Sequence, residues 1–144
     1  MSYSGLIGRF VSNPSYVDRI RENSANFALI EIKQSTFRNF ESTIAIINSS
    51  GRSYVVIVFR ENIVENNRAV IVNLSNSAFI DRKNLYSNNS GARLFKLREE
   101  SDLVLDSSEL LDNKSDYGLL DVMLSRIYIS NSKFHHNYSR HSSG

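Results

Sequence analysis

Short apolar stretches alternate with Asn- and Ser-rich turns along the whole chain, and the alternation recurs. In segment 126–139, "RIYISNSKFHHNYS", apolar and polar residues alternate to Ile129, the chain turns through Asn131 and Ser132, and an apolar residue returns at Phe134. Alternation with a period of two marks a half-buried strand, because residues two apart share a face. Only a short polar stretch follows. The strand is therefore expected to pair with an earlier segment and not in a hairpin.

With Phe134 as an anchor, the same local pattern lies upstream around Leu110, Leu85, Ile63, Phe37 and, more weakly, Tyr16. The spacings are 24, 25, 22, 26 and 21 residues. Periods in this range mark a chain that stacks on itself. Five residues before the anchors stand Val11, Ile32, Val58, Ile80, Leu105 and Ile129. Seven before stand Arg9, Ile30, Val56, Ala78, Leu103 and Ile127. A second apolar patch precedes most of these strands: "IAII" (44–47), "AVIVNL" (69–74), "RLFKL" (93–97) and "LLDVML" (119–124).

These columns predict an all-β fold, a single-stranded parallel β-helix (solenoid) of about six coils of 21–26 residues. Each strand pairs in parallel with its equivalent one coil away, so "RIYIS" pairs with "DLVLD", 24 residues earlier. The expected organisation is an N-terminal extension or cap at 1–8, the solenoid over 9–138, and a polar tail at 139–144. A leucine-rich-repeat-like solenoid is the structural alternative, but the spacing from the last aliphatic residue to the Asn does not fit it.

Composition narrows the function classes. Lys and Arg exceed Asp and Glu by 17 − 15 = 2, with both signs mixed throughout, so no basic patch supports nucleic-acid binding. The longest apolar runs, such as "YVVIVF" (54–59), are too short to span a bilayer, and no membrane insertion is expected. "SYSGLIGRF" after Met1 lacks the regions of a secretory signal, so the chain either takes another route or is an interior piece of a longer one. Cysteine is absent, which excludes disulfides and thiolate metal sites. Asn and Ser exceed a quarter of the residues, yet 41% hydrophobic content in short clusters argues against disorder.

Three residues after the last four anchors come Asn66, Asn88, Asn113 and Asn137. This Asn column reads as structural: Asn at a bend enters the left-handed region readily, and stacked carboxamides can bond one another. Asn88, Asn113 and Asn137 also begin N-x-Ser sequons, but Asn66 does not, so structure explains the column better. The sequons at Asn48 and Asn73 are the better glycosylation candidates.

The repeat, its aliphatic stacks and its Asn column resemble the right-handed parallel β-helix of the pectin-lyase-like superfamily and its Asn/Ser-rich surface proteins. The resemblance implies a shape that hosts many functions, and an extracellular or cell-surface location. Enzymes of this shape use clustered acids with Arg, Lys or His. Here Asp81 and Asp106 are expected one rung apart, beside stacked Arg60 and Arg82. That group could form a sugar groove, but cross-rung ion pairing is the plainer explanation. "HHNYSRH" (135–141) lacks acidic partners for a metal and reads as a polar terminus.

Six residues before the anchors, Ile57, Phe79, Val104 and Tyr128 are expected to form an outward apolar stripe. A stacked apolar row needs an explanation: cover by another segment such as the N-terminus, a protein-docking surface, or a sugar platform, with docking ranked first. Neither a catalytic set nor a cofactor or metal site is expected. The leading expectation is a non-enzymatic structural or interaction module of a larger fibre, surface layer or multi-subunit assembly. Its partners would be other subunits or further coils of the same parent chain, with glycans as further partners. The alternative is a carbohydrate-binding or polysaccharide-cleaving β-helix domain.

Overall fold

The computed structural model describes residues 27–141. The expected extension at 1–8, the copy anchored at Tyr16 and residues 142–144 lie outside the described residues. Along the chain run β1 (Phe27–Lys33), β2 (Thr36–Arg38), β3 (Ile47–Arg60), β4 (Ile63–Glu65), β5 (Val72–Arg82), β6 (Leu85–Ser87), β7 (Ser90–Gly91) and β8 (Phe95–Arg98). There follow β9 (Asp102–Asp106), β10 (Glu109–Leu111), β11 (Lys114–Ser115), β12 (Leu120–Val122), β13 (Arg126–Ser130), β14 (Lys133–His135) and β15 (Tyr138–Ser139). The described residues contain no helix.

Every pairing is parallel and joins equivalent segments of successive coils. The chain is thus an all-β parallel solenoid of about five turns, roughly 20 Å tall at about 4.8 Å per rung. One sheet holds β1, β3, β5, β8, β9, β12 and β13; a second stacks β2, β4, β6, β10 and β14; a third stacks β7, β11 and β15. β13 lies on β9 in the expected register, Arg126 opposite Asp102 and Ser130 opposite Asp106.

The interior follows from alternation. On the first sheet, one inward column runs Ile30, Ile57, Phe79, Leu103, Ile127, and the next runs Ile32, Phe59, Asp81, Leu105, Ile129. The second sheet contributes Phe37, Val64, Tyr86, Leu110 and Phe134. The patches before the strands supply Ile47, Val72, Phe95 and Leu120. Rings stack through the centre, Phe37 on Phe59 at 5.6 Å, Phe59 on Phe79 at 5.4 Å, and Tyr86 against Phe95 at 5.3 Å. Gly91 marks a tight corner, since a Cβ there would lie 2.8 Å from the Ala69 carbonyl oxygen.

This register corrects the sequence reading in the two middle coils. The inward anchors are Val64 and Tyr86, one residue after Ile63 and Leu85, which face outward. The coil that contains β3 also carries extra residues. The register of β3 against β5 shifts between Ser50 and Val55, so residues 51–54 stand against the single Asn76.

Candidate functional site

The corners of the coil are its most regular chemistry. At the corner after the long strands, Gln34, Glu61, Lys83, Ser107 and Asn131 all have positive φ, between 48° and 56°. At the next corner the same holds for Asn39, Asn66, Asn88, Asp112 and His136, with φ between 51° and 60°. The left-handed region costs L residues roughly 1–2 kcal/mol. On the first four rungs each such N–H is held by a carbonyl one rung on, as in Glu61 N to Arg82 O at 3.0 Å and Asn88 N to Leu111 O at 3.1 Å.

The residue after the left-handed one points inward and builds a ladder at each of these corners except the one after Asn39. There Phe40 is exposed and only its N–H joins, donating to Asn67 Oδ1 at 2.9 Å. Asn67, Asn89, Asn113 and Asn137 form one: the Asn89 N–H donates to Asn113 Oδ1 at 3.0 Å, and Asn89 Nδ2 donates to Asn113 Oδ1 at 3.0 Å and to Val64 O at 2.8 Å. Asn67 and Asn113 repeat the pattern. A second ladder, which the sequence reading missed, runs through Ser35, Asn62, Asn84, Ser108 and Ser132. A weaker serine series, Ser77, Ser101 and Ser125, lines a third corner. Buried carboxamides are thereby satisfied, as a buried polar group must be.

Asn66 and Asn88 are therefore not ladder members; they occupy the left-handed corner beside it. Asn113 and Asn137 are in the ladder, and their carboxamides are engaged despite their sequons. Asn88 is exposed at its corner, with its sequon intact. Asn48 and Asn73 stand in register on an outer face, where Asn73 Nδ2 donates to Asn48 Oδ1 at 2.7 Å.

The structure separates the four groups of the expected sugar groove. Asp81 stands opposite Leu105, not Asp106, and is fully buried in the core. Tyr86 Oη donates to one of its carboxylate oxygens and Ser108 Oγ to the other. Burial pushes the Asp81 pKa from 3.8 up to about 7, against the lowering pull of hydrogen bonds from Ser108 and Tyr86. Burial also raises the Tyr86 hydroxyl well above its usual range, with Asp81 adding to the effect. Arg60, Arg82 and Asp106 face outward: Arg82 stacks on Arg60 and lies 3.7 Å from Asp106, while Arg60 pairs with Glu31 at 2.8 Å.

The expected docking stripe changes in the same way. Ile57 and Phe79 belong to the core, at 3% and 0% exposure. The outward column in register with Val104 and Tyr128 is Glu31, Val58, Ile80, Val104, Tyr128. Val58, Ile80 and Val104 are buried as well, so this column is not an open surface.

Open apolar surface lies instead at both ends of the stack: on the first rung Leu29 and the inward Ile30 are 45% and 46% exposed, and on the fifth the interior face is open as well. Ile129 is 50% and Phe134 40% exposed, although both point inward, while Leu105 and Leu110 one rung earlier are fully buried. The N–H groups of Asn113 and Ser108 receive oxygens from Asn137 and Ser132. Those of Asn137 and Ser132 receive no such side-chain oxygen among the described residues. Nearby, Arg93 sits over the Tyr117 ring at 5.1 Å, Tyr117 stacks on His141 at 5.8 Å, and Asp121 is held below its ordinary pKa first by its bond to Arg98, 2.6 Å away. Among the described residues no three His, Asp or Glu side chains are grouped to hold a metal ion.

No protein-family model, no curated protein and no solved structure matches this chain.

Proposed function

We propose that the chain is a non-enzymatic structural or interaction module of a larger assembly, and that a further coil completes its fifth rung. That coil belongs either to the same polypeptide or to another subunit. The observation that carries the reading is the half-exposed inward face of this rung. Ile129 and Phe134 continue columns that are fully buried one rung earlier. An apolar interior face and a row of unpaired strand edges are the features by which solenoids add units. The ladder ends add chemical selectivity, because the N–H groups of Ser132 and Asn137 call for Asn or Ser oxygens at matching positions. The resemblance to right-handed β-helices of pectin-lyase-like surface proteins supports a cell-surface or extracellular fibre or layer.

Size exclusion with light scattering over a concentration series, followed by electron microscopy, tests this proposal. Oligomers or filaments that are lost on replacing Ile129 and Phe134 with Ser, while circular dichroism keeps its β signature, would support it. A wild-type protein that stays monomeric at every concentration, or assemblies indifferent to both substitutions, would count against it.

A carbohydrate-binding or polysaccharide-cleaving domain is the second reading. It keeps Arg60, Arg82 and Asp106 on an outer face but loses Asp81 to the core. Polysaccharide binding abolished by Arg60→Ala with Arg82→Ala would favour it over the assembly reading.

A further inference from the structure

Asp81 is out of place in its column. Its neighbours above and below are Phe59 and Leu105, and every other residue of that inward column is apolar. A carboxylate at full burial needs a cation or several donors to stay ionised. The groups that act on it are Tyr86, from β6, Ser108 and Asn84, from the corner ladder, and Asp106, from β9. None is cationic. The hydrogen bonds from Ser108, Tyr86 and Asn84 favour the ionised form but are outweighed by burial, to which the charge of Asp106 adds. In the neutral form the carboxyl O–H donates to one of the two hydroxyls. The charged residues that flank it along the chain point elsewhere: Arg82 lies on the outer face with Asp106, and Lys83 is at the exposed corner.

Ser108 ties this group to the rest of the fold. Its hydroxyl donates to Asp81 and accepts the Asn84 N–H at 3.0 Å, so one oxygen serves both the carboxyl and the second ladder. Tyr86, the other partner, stands in the anchor column and packs against Phe59 and Phe95. A change of charge on Asp81 is thereby felt by the ladder and by the aromatic stack of three successive rungs.

We propose that Asp81, Tyr86 and Ser108 make the solenoid core proton-linked, with the middle rungs held tightest when the Asp81 carboxyl is neutral and loosened when it ionises. The sign follows from linkage. The folded chain keeps this proton up to about pH 7, whereas the unfolded chain releases it near 3.8. Between those values the unfolded state binds fewer protons, so stability falls as pH rises, and above the folded value the group contributes no further change. The unfolding constant rises by up to about tenfold per pH unit in that window, roughly 10³-fold in all as an upper limit. The direction is opposite to that of a salt-bridged carboxylate.

Urea unfolding of the full chain at several values between about pH 4 and about pH 8 tests the linkage. Wild type is expected to lose stability from about pH 4 to about pH 7 and to level off above it, and Asp81→Asn to lose most of that slope. Whatever pH dependence the two proteins share cancels in the comparison. A variant slope equal to that of wild type would overturn the proposal. Should Asp81→Asn not fold, the carbon-13 carboxyl shift of Asp81 in the wild-type protein decides: a midpoint near 7 supports the proposal, and one near 4 refutes it.

Discussion

At the scale of single residues, the fold depends on which of two adjacent polar side chains turns inward. In "ENN" (65–67) and "SNN" (87–89) the first Asn takes the left-handed corner and the second enters the ladder. The two positions should respond very differently to truncation. Asn89→Ala removes the oxygen that satisfies the Asn67 N–H and Nδ2, and the donor to Val64 O. Each buried group left unpaired costs about 1–3 kcal/mol, so a loss of about 3 kcal/mol or more is expected. Asn88→Ala forfeits only tolerance of the left-handed region and should cost about 1 kcal/mol. Chemical denaturation of the two variants checks the contrast, and equal losses would contradict the assigned register.

At the scale of strands, alternation made most of the fold legible. The pairing of β13 with β9, the parallel stacking and the apolar patches at Ile47, Val72, Phe95 and Leu120 were all readable from spacing alone. The one-residue error in the middle coils arose because "NIVE" and "NLYS" each carry two adjacent apolar residues, and either can serve as the anchor. Since side chains alternate with a period of two, that slip turned core residues into an outer stripe. A usable signal was present: aligning the second Asn of each doublet with Asn113 and Asn137 gives Asn67 and Asn89, and with them Val64 and Tyr86. The buried position of Asp81 was not readable, because an acid in an alternating strand is by default an outward residue. Phe79→Ala should separate the two placements. A fully buried Phe costs about 3–5 kcal/mol on truncation, whereas an outer-face Phe would cost far less.

At the scale of the whole molecule, two ladders and three sheets run parallel to one another across the rungs, and each rung bonds to the next through several of them at once. Neighbouring rungs should therefore lose structure together, and the least protected rung should be the fifth, whose ladder groups are bonded on one side only. Such stacks behave as chains of nearest-neighbour contacts, with terminal units the first to open. The same asymmetry places the proposed attachment face on that rung, while the proton-linked group sits near the middle, where it acts on stability and not on contact with a partner.

The most direct test of register and ladders together is residue-resolved amide hydrogen exchange on the monomeric protein. The N–H groups of Asn62, Asn67, Asn84, Asn89 and Asn113, each held by a side-chain oxygen one rung on, should exchange slowly. Those of Ser132 and Asn137 should exchange far faster. Uniform exchange across these seven amides, or protection at Asn137 equal to that at Asn89, would contradict the ladders as the device that holds the coils in register.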